Sequence, residues 1–231
     1  MLNAEERVGQ TTKGIWVAFS KKHRICILDC EGTDSKERGE DRGKFEHCSS
    51  LFALALSDVV IINMWSSDVG RYTASNYGVL KIVFEMNLKL FQQECEKRIV
   101  IILRDFNAKQ HNFDKIRNMI KNDIVNIWKE IRKPEQFANS TPDKFFQIEF
   151  LPLPHKIYFE DEFNKEVSKL SERFDENNEN YIFTHSTSSK NVPADGFHKY
   201  CLEIWDAIIG EKDLDLVKIN FLISSRLKRK C

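Results

Sequence analysis

The chain has 231 residues with 35 Lys+Arg balanced by 35 Asp+Glu, so it can bury a sizeable core and carries no bulk charge to draw it to nucleic acid or an anionic membrane. Its six cysteines show neither the paired spacing of a zinc site nor the density of a disulfide scaffold, which fits a reducing compartment. The opening MLNAEERVGQ lacks the apolar core of a signal peptide, and the longest apolar stretch, LFALALSDVVIINMW, is broken by Asp58 and Asn63 and falls short of the ~20 residues of a bilayer span; the chain reads as soluble and cytosolic.

In chain order, runs rich in β-branched and aromatic residues predict strands at Gly14 to Ser20 and Arg24 to Cys30. A helical face of Phe45, Ser49, Phe52, Ala53 and Leu56 follows, then a strand from Asp58 to Trp65. Leu80, Val83, Phe84, Leu88 and Phe91 share one face of the next helix, and RIVIILRD (Arg98 to Asp105) is the fourth strand. Phe113, Ile116, Ile120, Ile124, Ile127, Trp128 and Ile131 form the clearest helical stripe, with Lys, Arg, Asn and Asp opposite. A strand from Gln147 to Leu153 leads to a helix carrying Phe159, Phe163, Val167, Leu170 and Phe174. Residues 176–192 are polar and without period, so they read as a surface loop, and a last helical face holds Phe197, Cys201, Ile204, Trp205 and Ile208. Strand and helix alternating in this way predict an α/β fold with a mostly parallel sheet and flanking helices.

In such a sheet ligands sit beyond the carboxyl ends of the strands. RICILDC runs into Asp29, Glu31 and Gly32, RIVIILRD ends at Arg104 and Asp105, and QIEFLPL runs into Pro154 and His155. Asp29 and Gly32 make D-x-x-G after an apolar strand: the carboxylate suits the water shell of Mg²⁺, and the glycine admits a phosphate oxygen to a backbone N–H. The same residues also suit a strand-end turn. Thr11 and Thr12 precede the first strand, where a hydroxyl would serve a metal or merely a polar turn. A carboxylate such as Asp105 accepts two hydrogen bonds from guanine and meets an unpaired acceptor on adenine, while Arg104 has a planar guanidinium that stacks on a base; a charged strand-to-loop junction is the plainer alternative. The histidines have no metal-ligand spacing, and no G-x-S-x-G is present.

Taken in order, QTTKGIW, LDCEGTDSKERGED, FALALSDVVIINMW, ILRD and LPHK resemble the root hair defective type of dynamin-like GTPases, atlastin-like members of the guanylate-binding-protein superfamily. The resemblance runs from about Met1 to about Lys228 and implies a partial Ras-like G domain over 1–210, from the first switch onward, with 211–231 starting a helical bundle. It implies Mg²⁺ and GTP as ligands. Thr12 would be the first switch's metal and γ-phosphate residue, Asp29 a metal-side and nucleotide residue and Gly32 the phosphate sensor. Arg104 and Asp105 would be the guanine motif, and Leu153 to Lys156, with Pro154 and His155, the guanine cap.

The family further implies homodimerisation through G domains and fusion and shaping of endoplasmic reticulum membranes from their cytoplasmic face. No G-x-x-x-x-G-K-[ST] occurs in the sequence, so the cradle of N–H groups, the phosphate lysine and the arginine finger that the family carries there are not supplied by these residues. Met1-Leu2-Asn3-Ala4 resembles the loop before the first switch, which implies a piece of a longer protein lacking the first strand and the phosphate-loop helix and inactive alone. The strands it would separate, Arg24 to Cys30 and Asp58 to Trp65, would then each keep an unpaired edge. A catalytically dead module that dimerises with G domains of the same family is the alternative.

Overall fold

The computed structural model of the chain describes residues 14–30, 42–70, 75–91, 97–183 and 195–210. The first switch, the second switch loop and the start of the helical bundle therefore lie outside the described residues, Thr12 and Gly32 among them. The chain forms two compact units: 1–57 with 86–92 and 190–231, and 58–85 with 93–189.

In the first unit β1 (Ile15–Ser20) pairs antiparallel with β2 (Ile25–Cys30), Ile15 opposite Cys30 and Ser20 opposite Ile25. Four residues join them, Lys21 to Arg24. That is enough for a hairpin and too few for the crossover that a parallel pair requires. Arg24 closes the loop in the left-handed region, at φ 52°. Side chains on both faces of this ribbon are apolar and in contact with solvent, Trp16 at 61% and Phe19 at 69%. Cys30 is exposed as a residue, yet partial desolvation of its thiol, and secondarily the Asp29 carboxylate beside it, pushes that thiol up to about 11. The helices α1 (Arg42–Leu56) and α5 (Phe197–Ile209) complete the unit, the ring of Phe52 meeting that of Trp205 edge-on at 5.4 Å. In α5 the buried stripe is Tyr200, Ile204 and Ile208, turned toward Tyr200 from the face expected, since Phe197, Cys201 and Trp205 stay half-buried.

The second unit is built on β3 (Val59–Trp65), β4 (Lys97–Arg104) and β5 (Phe146–Leu153), a parallel three-stranded sheet in the order β3-β4-β5. The parallel sheet expected from strand-helix alternation is thus present, and the hairpin is hydrogen-bonded as a separate sheet. β4 is central and almost wholly buried, as an apolar run covered on both faces should be. Pro152 sits in β5, which ends the strand order, where the lost N–H costs no ladder bond.

Rings from α2 (Ser75–Phe91) and α3 (Phe113–Glu130) cluster with those that begin β5: Phe84 lies 4.9 Å from Phe146 and 5.7 Å from Trp128, and Trp128 5.3 Å from Phe145. Trp128 Nε1 donates to the Ser140 carbonyl at 2.8 Å, so the indole is buried without an orphaned donor. Asn112 caps α3 by accepting from the Lys115 N–H at 3.1 Å. Ile120, Ile124, Ile127 and Trp128 form the buried stripe that the spacing predicts.

A second cluster gathers Val100 and Ile102 of β4 with Leu151 and Leu153 of β5, Leu170 of α4 (Glu160–Glu172) and Phe174. Ile182 joins it fully buried, which corrects the reading of 176–192 as surface throughout: its N–H donates to the Arg173 carbonyl at 2.8 Å, folding successive turns back under α4. One carboxylate locks this layer. Glu149 accepts from Arg98 at 2.9 Å and from Arg173 at 2.7 Å, and Arg98 also donates to Gln147 at 2.8 Å.

Candidate functional site

Parallel pairing puts the carboxyl ends of β3, β4 and β5 side by side, and the register sets Trp65 opposite Arg104 and Arg104 opposite Leu153. The residues that follow each strand therefore share one edge of the second unit. Arg104, Asp105, Pro154 and His155, expected from the sequence at strand ends, are brought together there.

Asp105 leaves the strand in the left-handed region, φ 55°, a conformation that Asp tolerates better than most residues and that costs of order 1–3 kcal/mol when imposed. Both neighbours are anchored. Before it, the guanidinium of Arg104 lies over the Trp65 ring with Cζ 4.5 Å from the centroid. After it, the Phe106 N–H donates to the Leu153 carbonyl at 3.0 Å and the buried Phe106 ring meets Phe113 edge-on at 5.7 Å. The turn itself is held from β3, since Ser66 Oγ donates to the Asp105 carbonyl at 3.0 Å.

From β5's side comes His155. Its Nδ1 accepts the Ile157 N–H at 3.1 Å, so in the neutral ring the proton sits on Nε2, the nitrogen 3.8 Å from Asp105 Oδ2. Tyr158 stacks against the imidazole with centroids 4.4 Å apart, and the Phe159 N–H donates back to the His155 carbonyl at 2.9 Å, closing the turn into α4. The 3.8 Å gap is longer than a hydrogen bond, so the imidazole leaves the carboxylate's lone pairs available to a ligand. A half-buried carboxylate that follows an arginine in the chain is suited to a flat heterocycle that has two adjacent N–H donors, which the planar guanidinium can stack on.

Asp29 belongs to the first unit, exposed near the end of β2 and opposite Trp16 in the hairpin register. Among the described residues no group of three or more His, Cys, Asp or Glu is arranged to hold a metal. One carboxylate oxygen fits Mg²⁺ all the same, because that ion keeps much of its water and draws other ligands from substrate phosphate.

Trp65 and Ser66 were not anticipated. The strand-end rule that singles out three of the strands applies equally to DVVIINMW, but a tryptophan closing an apolar run reads as core until the register places it beside Arg104.

Residues 1–217 match the family described as the Root hair defective 3 GTP-binding protein (RHD3) GTPase domain. The chain is 44% identical over 209 residues to Protein sey1 of Schizosaccharomyces japonicus, covering 90% of this chain and 27% of that protein. It is 41% identical over 215 residues to a SEY1 homolog of Dictyostelium discoideum, covering 90% of this chain and 24% of that protein, and 39% identical over 246 residues to one of Plasmodium falciparum, covering 97% and 26%. It thus spans about a quarter of the length of these relatives. Matched along nearly its whole length, the chain belongs to the RHD3 GTPase domain family.

Proposed function

We propose that this chain is the guanine-recognising part of a dynamin-like GTPase. One observation carries the reading: at the carboxyl edge of the parallel sheet, Arg104, Asp105 and His155 arrive from adjacent strands with the Asp105 carboxylate held in a left-handed turn. Asp105 accepts from N1–H and the 2-amino group of guanine, Arg104 stacks on the ring, and Pro154 and His155 form the wall beside it. Adenine offers an acceptor where guanine has its N1–H, so it leaves the carboxylate facing a lone pair.

Asp29 and Thr12 would hold Mg²⁺ and Gly32 would approach the terminal phosphate; the ion supplies charge neutralisation between phosphate oxygens when bound. With no G-x-x-x-x-G-K-[ST] in the sequence, hydrolysis by these residues alone is not part of the proposal. In a protein of the relatives' length the domain would dimerise with a second copy and drive fusion and shaping of endoplasmic reticulum membranes from the cytoplasmic face. No helix among the described residues is long and apolar enough to cross a membrane, and membrane attachment would belong to parts of the longer relatives outside this match.

The test is binding of fluorescent GTP and ATP analogues to the purified chain with and without Mg²⁺. Weak, guanine-selective binding with little Mg²⁺ dependence supports base recognition without a complete phosphate site. Equal binding of the two analogues overturns it. The exposed ribbon of Trp16 and Phe19 favours a second reading, an inactive module that pairs with G domains of the same family; sedimentation of the chain mixed with such a domain, with no co-sedimenting species, removes that reading.

A further inference from the structure

Arg104, the last residue of β4, and Asp105, which follows it, are held by two side chains that begin nowhere near them in the sequence. Trp65 is 45% exposed at the end of β3, an unusual place for a tryptophan that serves only as core. Its ring carries the Arg104 guanidinium 4.5 Å from the centroid, and the next residue, Ser66, donates its hydroxyl to the Asp105 carbonyl at 3.0 Å. Parallel register explains the coincidence: Trp65 pairs with Arg104, so the residue after each must also meet. We propose that Trp65 and Ser66 are positioning residues of the guanine site, Trp65 setting the plane of the Arg104 guanidinium and Ser66 setting the turn that presents the Asp105 carboxylate. This rests on the reading of the edge as a guanine site and adds to it a brace supplied by β3.

The two members act on different parts of recognition. An arginine side chain has many rotamers, and a stacking surface that selects one removes that ordering from the act of binding. A stack is tolerant of base identity, so the Trp65 contribution weakens or strengthens all purines together. The carboxylate is the discriminating element, and its turn is strained. Without the Ser66 hydroxyl, the Asp105 peptide is freer to rotate out of the left-handed region, and the carboxylate no longer meets N1–H and the 2-amino group at once.

The experiment titrates the full chain with guanosine, inosine and adenosine at millimolar concentration, read by NMR chemical shifts, because nucleosides need no phosphate site. Trp65→Leu is expected to weaken guanosine and inosine by a common factor of about five to ten, with Trp65→Phe within about twofold of the parent. It should also remove the upfield ring-current shift from the Arg104 side-chain protons in the ligand-free protein. Ser66→Ala is expected to lower the guanosine-to-adenosine affinity ratio several-fold, and Ser66→Thr to restore it; far-UV circular dichroism and the unfolding midpoint serve as the check on folding. If the parent prefers guanosine while Trp65→Leu binds equally tightly and Ser66→Ala keeps its ratio, the brace is overturned and the guanine site stands. If the parent does not prefer guanosine over adenosine, the guanine reading fails and takes the brace with it.

Discussion

Removing the Glu149 carboxylate should destabilise the second unit without touching the candidate site. Glu149 is held between Arg98 and Arg173 with side chains 31%, 14% and 18% exposed, so the two bridges are only partly screened by water. A hydrogen bond to a charged partner contributes about 1.5–3 kcal/mol, and breaking a fully buried pair costs about 3–5 kcal/mol. Glu149 is nearly one-third exposed, and Arg98 keeps Gln147 while Arg173 keeps the Asn180 carbonyl at 3.2 Å, so the expected cost of Glu149→Ala is smaller, about 2 kcal/mol. Glu149→Gln retains one acceptor and should cost about 1 kcal/mol. With a urea slope of about 2–3 kcal/mol/M, the midpoint for Glu149→Ala falls by roughly 0.7–1 M.

Arg98 is the second residue of β4 and Arg104 the last, about 20 Å apart along an extended strand. Guanosine affinity of the folded variant should therefore be unchanged. A midpoint shift below about 0.2 M, or a loss abolished by ~0.5 M salt as for a solvated pair, would refute the argument.

Three further outcomes follow from particular residues. Asp105→Gly removes the left-handed cost along with the carboxylate, so it should unfold within about 0.5 kcal/mol of the parent, while Asp105→Val should be about 1–2 kcal/mol less stable than Asp105→Gly; urea unfolding of both checks it. Raised to about 11 from 9.0, the Cys30 thiol is about a hundredfold less ionised near neutral pH; higher intrinsic nucleophilicity returns about tenfold, so alkylation should run about tenfold slower than for a free thiol and quicken in Asp29→Asn. Peptide mapping after brief iodoacetamide treatment reads this site by site. Asn112→Ala should cost about 1 kcal/mol through loss of the α3 cap, seen in the same urea assay.

The elements legible in the sequence were those whose pattern has a single physical reading. RIVIILR could be little else than a strand buried on both faces, and the isoleucine stripe of α3 has a polar opposite face that leaves the period unambiguous. Arg104, Asp105 and His155 could be singled out as candidates because polar or charged groups at the end of an apolar run stand out, and their shared strand edge is what the register adds. The hairpin was less legible as a separate sheet, although four linking residues with no helix already exclude a parallel crossover between its strands. Ile182 was hidden inside a polar stretch where a single apolar residue makes no period. Trp65 and Ser66 acquire their meaning from register, a pairing between strands that no local pattern encodes.

The most direct test of base recognition exchanges the base-edge partner. Asn in place of Asp105 offers one acceptor and one donor, which suits the N1–H and 2-oxo group of xanthine and opposes the 2-amino group of guanine. Titrating the parent chain and Asp105→Asn with guanosine and xanthosine by NMR should give a parent that prefers guanosine and a variant that prefers xanthosine, each by tenfold or more, about 1.4 kcal/mol. An unchanged preference in the variant, or none in the parent, would contradict the assignment of Asp105 as the residue that reads guanine.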